Sequence, residues 1–497
     1  MARSTDTYQC TSCGGTALQW VGRCPHCSEW NTLDASLRTN GSTAATSKSH
    51  PEAVSLRTIT GGDLPPRPTG IDEVDRVLGG GFVEGAVTLV FGPPGVGKST
   101  LLFQVLSSVA EQGCEVLLAS AEESLVQVSG RANRLGALPE SLHVLAGHDV
   151  NAIEAAIIRR PPALAVVDSI QTICDPALPG ATGSLAQIRD CVDRLTRLAK
   201  GTGVPIVLVG HVTKDGDLAG PRTIEHMVDT VLSFEGDRHH ALRMLTAVKH
   251  RFGSTGEVGI FEMRDDGLRA VPDPGPLLLG DRMAGVPGSV VVPVLQGRRP
   301  LLVEVQALIG ASAGGAAGGQ RPITLGIDAT RVTLFLALLS CRAGIISNGG
   351  QVFVSAVGGI NVSEPAVDLA VAVAVASAAL EQAVPDNLIV FGELGLAGEL
   401  RAVPGAERRL AEAARAGFTR AIVPASTPKE AFAAAPGMVI EPVRTLGLAV
   451  GMAVDLDLCV DPDPSKYPDA FEEARRQVEE RVPEGTMSPW SNVAASR

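Results

Sequence analysis

The stretch Gly92-Pro93-Pro94-Gly95-Val96-Gly97-Lys98-Ser99 constrains this chain more than any other part of it. It fits the spacing G-x-x-x-x-G-K-S and lies between an apolar run, 86–91, and a helical pattern that begins near Thr100. Glycines at these positions let backbone N–H groups turn inward around an anion. The helix that follows adds its own unpaired N–H groups and the positive end of its dipole. ATP contacts are therefore expected from Gly92 to Thr100. Lys98 would reach the β- and γ-phosphates, and the Ser99 hydroxyl would ligate Mg2+.

Such a loop needs a parallel sheet around it. Between residues 57 and 276, strand-like runs at 86–91, 115–120, 163–167 and 205–209 alternate with helical patterns at 101–111, 125–135 and 184–200. That alternation predicts a doubly wound α/β domain. The run 164–168 ends in a carboxylate, Asp168, suited to a second Mg2+ contact, direct or through water. The run 117–120 leads into Glu122 and Glu123. One of these would orient the attacking water, and the other would open the next helix.

A chain of 497 residues exceeds one hydrophobic core, so two or three domains are expected. A second α/β region is placed at 277–460, with strands at 351–357 and 387–391, an Ala-rich helix at 367–380 and a Gly/Ala loop at 310–319. A charged, Pro-punctuated tail, 461–497, carries one short helix over 469–481. Apolar residues make up 45% and charged residues 19%, a globular composition. Apolar runs are broken by Gly, Ser or charge before membrane-spanning length, and the N-terminus lacks the apolar core of a secretory signal, so the cytoplasm and no membrane are expected. The net charge of −12 argues against a nucleic-acid-coating surface but leaves room for a positive channel.

Four of the nine cysteines form Cys10-x2-Cys13, ten intervening residues, then Cys24-x2-Cys27. Two such knuckles close a tetrahedral Zn2+ shell with no open position, so the role is structural. The ribbon is placed at 1–33, with Trp20 and Trp30 packing over the knuckles in preference to standing exposed to stack on bases, and a flexible Ser/Thr/Ala-rich linker follows at 34–56.

The run Thr69-Gly70-Ile71-Asp72 through Leu78-Gly79-Gly80-Gly81, with the phosphate loop, resembles the RecA-like core shared by RecA, KaiC and the DnaB-type helicases. Adding the ribbon, the run Lys249-His250-Arg251-Phe252-Gly253 and a Lon-like C-terminal region, the chain up to about residue 460 resembles the bacterial RadA (Sms) family of DNA repair proteins. The resemblance implies a RecA-like P-loop ATPase domain with an N-terminal four-cysteine zinc ribbon and a C-terminal Lon-protease-like α/β domain. It implies a DNA-stimulated, helicase-like ATPase, working as a homohexameric ring on single-stranded and branched DNA. That ring would drive branch migration in repair and homologous recombination, together with the RecA recombinase.

By position, the resemblance puts the catalytic glutamate on Glu122, a γ-phosphate sensor on His211 and DNA phosphate contacts on Lys214 and Arg222. Lys249 and Arg251 would reach the neighbouring subunit's γ-phosphate, as an arginine finger does. The family's Lys-Asn-Arg-Phe-Gly motif has His250 here in place of Asn. Lon peptidases use a Ser–Lys dyad, and the matching positions hold Ala366 and Glu407, with Ser363 nearby. Covalent catalysis of that kind is then unavailable, and the region serves as a scaffold, with Arg298, Arg299, Arg321 and Arg331 lining a DNA-facing surface. Two rival readings are a KaiC-like signalling ATPase, separated by DNA stimulation of ATP turnover, and an ATP-dependent peptidase, separated by casein degradation.

Overall fold

The computed structural model describes residues 8–10, 16–17, 21–27, 30, 33–35, 65–136, 139–211, 223–236, 242–310, 321–345 and 350–455. Cys13, Trp20, Lys214, Arg222, most of the Gly/Ala loop, the expected linker beyond residue 35 and the tail lie outside these residues. The chain divides into two compact units, Met1–Asp63 and Leu64–Arg497.

In the first unit, β1 (Tyr8–Cys10) pairs antiparallel with β2 (Thr16–Ala17) and with β3 (Leu33–Ala35). Cys10 lies opposite Leu33, and Tyr8 opposite Ala35. The ribbon therefore runs two residues further than placed, because Asp34 and Ala35 complete its sheet instead of opening the linker.

The second unit begins with α1 (Asp72–Val77). Next come β4 (Val87–Gly92), α2 (Lys98–Glu111), β5 (Val116–Ser120), α3 (Leu125–Arg134), β6 (Leu142–Ala146) and α4 (Val150–Arg159). β7 (Leu164–Asp168), α5 (Leu185–Thr202), β8 (Ile206–His211), α6 (Thr223–Met227) and β9 (Thr230–Glu235) follow. Last are β10 (Leu242–His250), β11 (Val258–Arg264), β12 (Gly267–Ala270) and α7 (Gly275–Leu279). The sheet order is β6-β5-β7-β8-β4-β9-β10-β11-β12, with β4 to β9 parallel and β10 to β12 antiparallel to their neighbours.

Helices on both faces bury the parallel strands, which is why β5 and β7 are apolar throughout rather than alternating. Ile188, Cys191, Val192, Leu195 and Ala199 of α5 recur at helical spacing and are buried with α4 against one face. Leu101, Leu102, Val105, Leu106 and Val109 of α2 do the same on the other. Each such side chain contributes roughly 1.5–3 kcal/mol. β4 lies between β8 and β9, so the loop after it opens where chain connections leave in opposite directions, the place where open α/β sheets bind ligands.

The C-terminal lobe contains β13 (Ser289–Gln296), β14 (Arg299–Ile309), β15 (Ile323–Leu325), α8 (Ala329–Ala343) and β16 (Val352–Ala356). A 3-10 turn, Pro365–Val367, leads into α9 (Asp368–Leu380), then β17 (Leu388–Val390), β18 (Glu393–Leu394) and β19 (Leu400–Arg401). α10 (Ala406–Arg415), β20 (Arg420–Pro424), β21 (Val439–Val443) and α11 (Leu446–Ala453) complete it. Its main sheet runs β15-β16-β14-β13-β17-β20-β21. Every residue of α9 from Asp368 to Ser377 is buried, as expected of a helix apolar on all sides.

The two lobes share one core. Val258, Ile260, Val271 and Leu278 pack in the same cluster as Val290, Val292 and Leu301. Glu73 on α1 is fully buried there, its Oε2 accepting from the Ile260 N–H at 2.9 Å and pairing with Arg299. Arg299 also donates to the carbonyls of Val258 (3.0 Å) and Pro272 (2.7 Å). This corrects its expected place on a DNA-facing surface: the guanidinium neutralises a buried carboxylate between the lobes. Arg331 is likewise committed, to Asp368 and to the Ser363 carbonyl.

Candidate active site

The phosphate loop follows the C-terminal end of β4, with Pro93, Pro94 and Gly95 exposed and Val96 buried beneath. A Cβ on Gly92 would meet the Phe234 carbonyl oxygen at 2.1 Å. Gly97 has φ +109°, and a Cβ there would meet Met263 at 2.5 Å. Both positions therefore demand glycine. Arg243 on β10 is buried and donates Nε–H to the Val96 carbonyl at 3.1 Å, bracing the loop from below.

Lys98 opens α2 and is buried, its Nζ donating to the carbonyls of Gly92 (2.8 Å) and Pro93 (3.1 Å). The third neighbour of Nζ is His211 Nδ1 at 3.2 Å, at the end of β8. An ammonium only donates, so Nδ1 accepts and the imidazole proton sits on Nε2. That proton points to Glu122 Oε1, 3.1 Å away. Burial pushes the Lys98 amine below its ordinary pKa, while Asp168 and Glu122 pull it back up.

Asp168 ends β7 at 8% exposure, and its peptide bond to Ser169 is cis. Burial raises its carboxyl pKa, the Ser99 hydroxyl beside it opposes that shift, and Glu122 adds to it. Its Oδ1 makes no hydrogen bond among the described residues. A buried acceptor left open beside a hydroxyl is the donor set a Mg2+ ion requires, so Ser99 and Asp168 fit that ion. Glu122, Asp168 and His211 each place one ligand atom within 4.8 Å of the others.

The two glutamates after β5 separate clearly. Glu123 turns away and pairs with Arg131 of α3, and its N–H donates to Ser120 Oγ at 3.2 Å. Glu122 faces the cluster and accepts from Ser169 Oγ as well as from His211. Lys98, Ser99, Glu122, Asp168 and His211 thus converge, with Thr100 in the first turn of α2.

Lys249 and Arg251 do not join them. Lys249 Nζ donates to the carbonyls of Glu225 and Val228, both at 2.7 Å, and burial, with Arg251 nearby, lowers its pKa. Arg251 donates to Asp229 Oδ1 at 2.8 Å. Because β10 runs antiparallel, Lys249 lies opposite Val231, which lies opposite Leu89, three residues before Gly92. At ~3.3 Å per residue the motif sits about 10 Å back along the sheet, at the edge facing away from the phosphate loop. His250 between the two cations accepts at Nδ1 from the Thr230 hydroxyl (2.9 Å) and donates from Nε2 to the Leu78 carbonyl (3.1 Å). Burial lowers its pKa, consistent with that neutral form.

In the ribbon, Cys24 is buried and Cys27 half-buried, and the His26 N–H donates to Cys24 Sγ at 3.4 Å, the contact a knuckle turn makes to a thiolate. Cys10 is described by its backbone only. Trp30 corrects an expectation: it is 71% exposed, with the Arg23 guanidinium 5.9 Å from its ring, and does not pack over the knuckle.

The Lon-like positions are spread over buried and exposed sites. Ala366 is buried at 1% exposure, while Ser363 and Glu407 are exposed. The buried Arg409 makes a two-pronged pair with Glu364, 2.8 and 2.6 Å, and donates to the Pro293 carbonyl.

Sequence reading overlooked Ser169 and Arg243. Ser169 adjoins Asp168, which was a usable signal. Arg243 lies 147 residues from the carbonyl it braces and gave none.

Residues 67–217 match the family model described as AAA domain, 8–35 that described as rubredoxin metal binding domain, and 356–427 that described as subunit ChlI of Mg-chelatase. Sheet order, phosphate loop and these matches define a RecA-like P-loop ATPase with a zinc ribbon ahead of it and a Lon-like lobe behind. The chain is 43% identical to the DNA repair protein RadA of Mycobacterium tuberculosis over 92% of its own length and 95% of that protein. It is 44% identical to the RadA of Pseudomonas aeruginosa over 87% of its length and 95% of that protein, and 43% identical to that of Bacillus subtilis over 86% and 94%. This chain belongs to the RadA family of bacterial DNA repair proteins, and it is a nucleotide- and zinc-binding DNA repair ATPase. No described helix is long and apolar enough to cross a membrane.

Proposed function

We propose that the chain is one subunit of a cytoplasmic homohexameric ring that hydrolyses ATP to move on single-stranded DNA. The ring drives branch migration of recombination intermediates alongside the RecA recombinase. The observation that carries this reading is the placement of Lys249 and Arg251 at the sheet edge away from their own phosphate loop. Cations there lie some way back from their own phosphate loop and would serve a neighbour's, which would make each active site a joint product of two copies.

In that site Gly92 to Thr100 hold the phosphates, and Lys98 leaves His211 for the β- and γ-oxygens. Glu122 takes a proton from the attacking water. Ser99 and Asp168 would hold a Mg2+ ion, which would supply neutralising charge to the phosphates. The Lys249 and Arg251 of the adjoining copy neutralise the charge that develops on the leaving oxygens. His211 leads directly into 212–222, where Lys214 and Arg222 would meet DNA phosphates, so occupancy of the site is coupled to the strand. The domain divisions 57–276, 277–460 and 461–497 serve this reading, with the ribbon extended to residue 35, the linker shortened to 36–56 and the C-terminal lobe as a proteolytically inactive scaffold.

A mixing experiment tests it. Lys98→Ala subunits and Lys249→Ala/Arg251→Ala subunits are each expected to be inactive in DNA-stimulated ATP turnover. Mixed in equal amounts, they pair an intact phosphate loop with intact cations at roughly a quarter of interfaces and regain turnover. A mixture as silent as its parts would refute the shared site. Absence of stimulation by single strands at low salt would instead favour a signalling ATPase.

A further inference from the structure

We propose that Ser169 is a positioning residue for Glu122, aiming that carboxylate so that Oε2 is the oxygen that takes the proton. The inference rests on the reading of Glu122 as the base. Ser169 is fully buried and directly follows Asp168 at the end of β7.

Its one hydroxyl proton has two candidate acceptors, Glu122 Oε1 and Thr172 Oγ1, the latter 3.3 Å away. Thr172 spends its own proton on the Ser169 carbonyl at 2.9 Å, and its oxygen accepts from the Ser169 N–H at 3.3 Å. The Ser169 proton therefore goes to the carboxylate, the closer and charged acceptor. His211 Nε2–H donates to the same Oε1. Both donors fall on one oxygen, and Glu122 Oε2 makes no hydrogen bond among the described residues.

The two donors differ in permanence. His211 is tied to Lys98, which bound phosphates would draw away, and His211 stands 32% exposed at the start of the 212–222 segment. Ser169 is fully buried and makes no hydrogen bond to the phosphate loop among the described residues, so bound phosphates would have no direct hold on it.

The test compares Ser169→Ala, Ser169→Thr and Glu122→Gln in the full chain, measuring kcat and KM for ATP at saturating Mg2+ and binding of a non-hydrolysable ATP analogue. Ser169→Ala is expected to lower kcat on the order of 10-fold, part of what a positioned base supplies. KM and analogue affinity should hold, so that the loss falls on kcat alone, and Ser169→Thr should restore kcat.

A Ser169→Ala kcat equal to wild type while Glu122→Gln is inactive would overturn the positioning role alone. Glu122→Gln hydrolysing normally would remove the base and the proposal with it. Loss of analogue binding in Ser169→Ala would mark the residue as structural and also overturn it.

Discussion

The two lobes of the second unit treat buried charge in opposite ways. In the ATPase lobe, Lys98 is held by two carbonyls and a neutral imidazole, and Asp168 keeps a buried oxygen with no hydrogen bond among the described residues. In the C-terminal lobe, Arg409 meets Glu364 with both prongs, and Arg331 meets Asp368. A buried group left open is expensive, and it persists where a ligand completes it. A buried pair with every partner present has nothing left to offer. The contrast is the one expected of chemistry in the first lobe and a scaffold role in the second.

The largest effect that would break this contrast is catalytic. Glu122→Gln keeps shape and hydrogen-bonding capacity but cannot take a proton, and should lower ATP turnover about 100- to 10,000-fold with the melting temperature held. Steady-state phosphate release and a thermal melt read the two quantities. Retained turnover would leave Glu123, despite its pair with Arg131, as the base.

Arg409→Ala should do the reverse. It leaves Glu364 against the Leu295 N–H and the Pro293 strand without its cation, and should cost about 3–5 kcal/mol in chemical denaturation. Turnover per folded molecule should not change. Replacing both partners, Arg409→Met with Glu364→Leu, should recover much of that loss, because no uncompensated charge remains. A collapse of kcat in the folded variant would put chemistry in the second lobe.

The smallest effect concerns Asp368. Burial, only partly offset by Arg331, raises its pKa from 3.8 to about 6. The folded chain therefore holds this proton after the unfolded chain has released it. Its contribution to stability is complete below pH 3.8 and is lost as pH rises through about 6. The stability of wild type relative to Asp368→Asn should fall across that window, by at most about 3 kcal/mol. A difference independent of pH would mean that Arg331 keeps the carboxylate ionised throughout.

Local patterns made the parallel half of the nine-stranded sheet legible. Strands at 86–91, 115–120, 163–167 and 205–209 each lie within one or two residues of the observed ends, since continuous apolar runs between turn residues carry that signal. The antiparallel extension was not legible. β10 alternates buried and half-buried residues, and its partners on β9 and β11 depend on register, which composition does not encode. Convergence at the site followed from motif positions, but its internal sorting did not. Glu122 and Glu123 part because Arg131, nearly two turns into the next helix, pairs with the second, while Ser169 and His211 hold the first. Arg299 was read as a surface cation because nothing near it in the chain announces Glu73, 226 residues away. Trp30 was placed in a core too small to cover it.

The seam between the lobes bears on how this protein can be taken apart. A cut near residue 276 would lay Val258, Ile260 and Val271 open to water and strand the Glu73 carboxylate without Arg299. The ATPase is thus no detachable cassette. Its outermost strands take their hydrophobic cover from the lobe that follows, so a truncated version would report on a damaged protein more than on an independent one. Inheritance should act on the pair as a unit, with neither half free to be borrowed without the other.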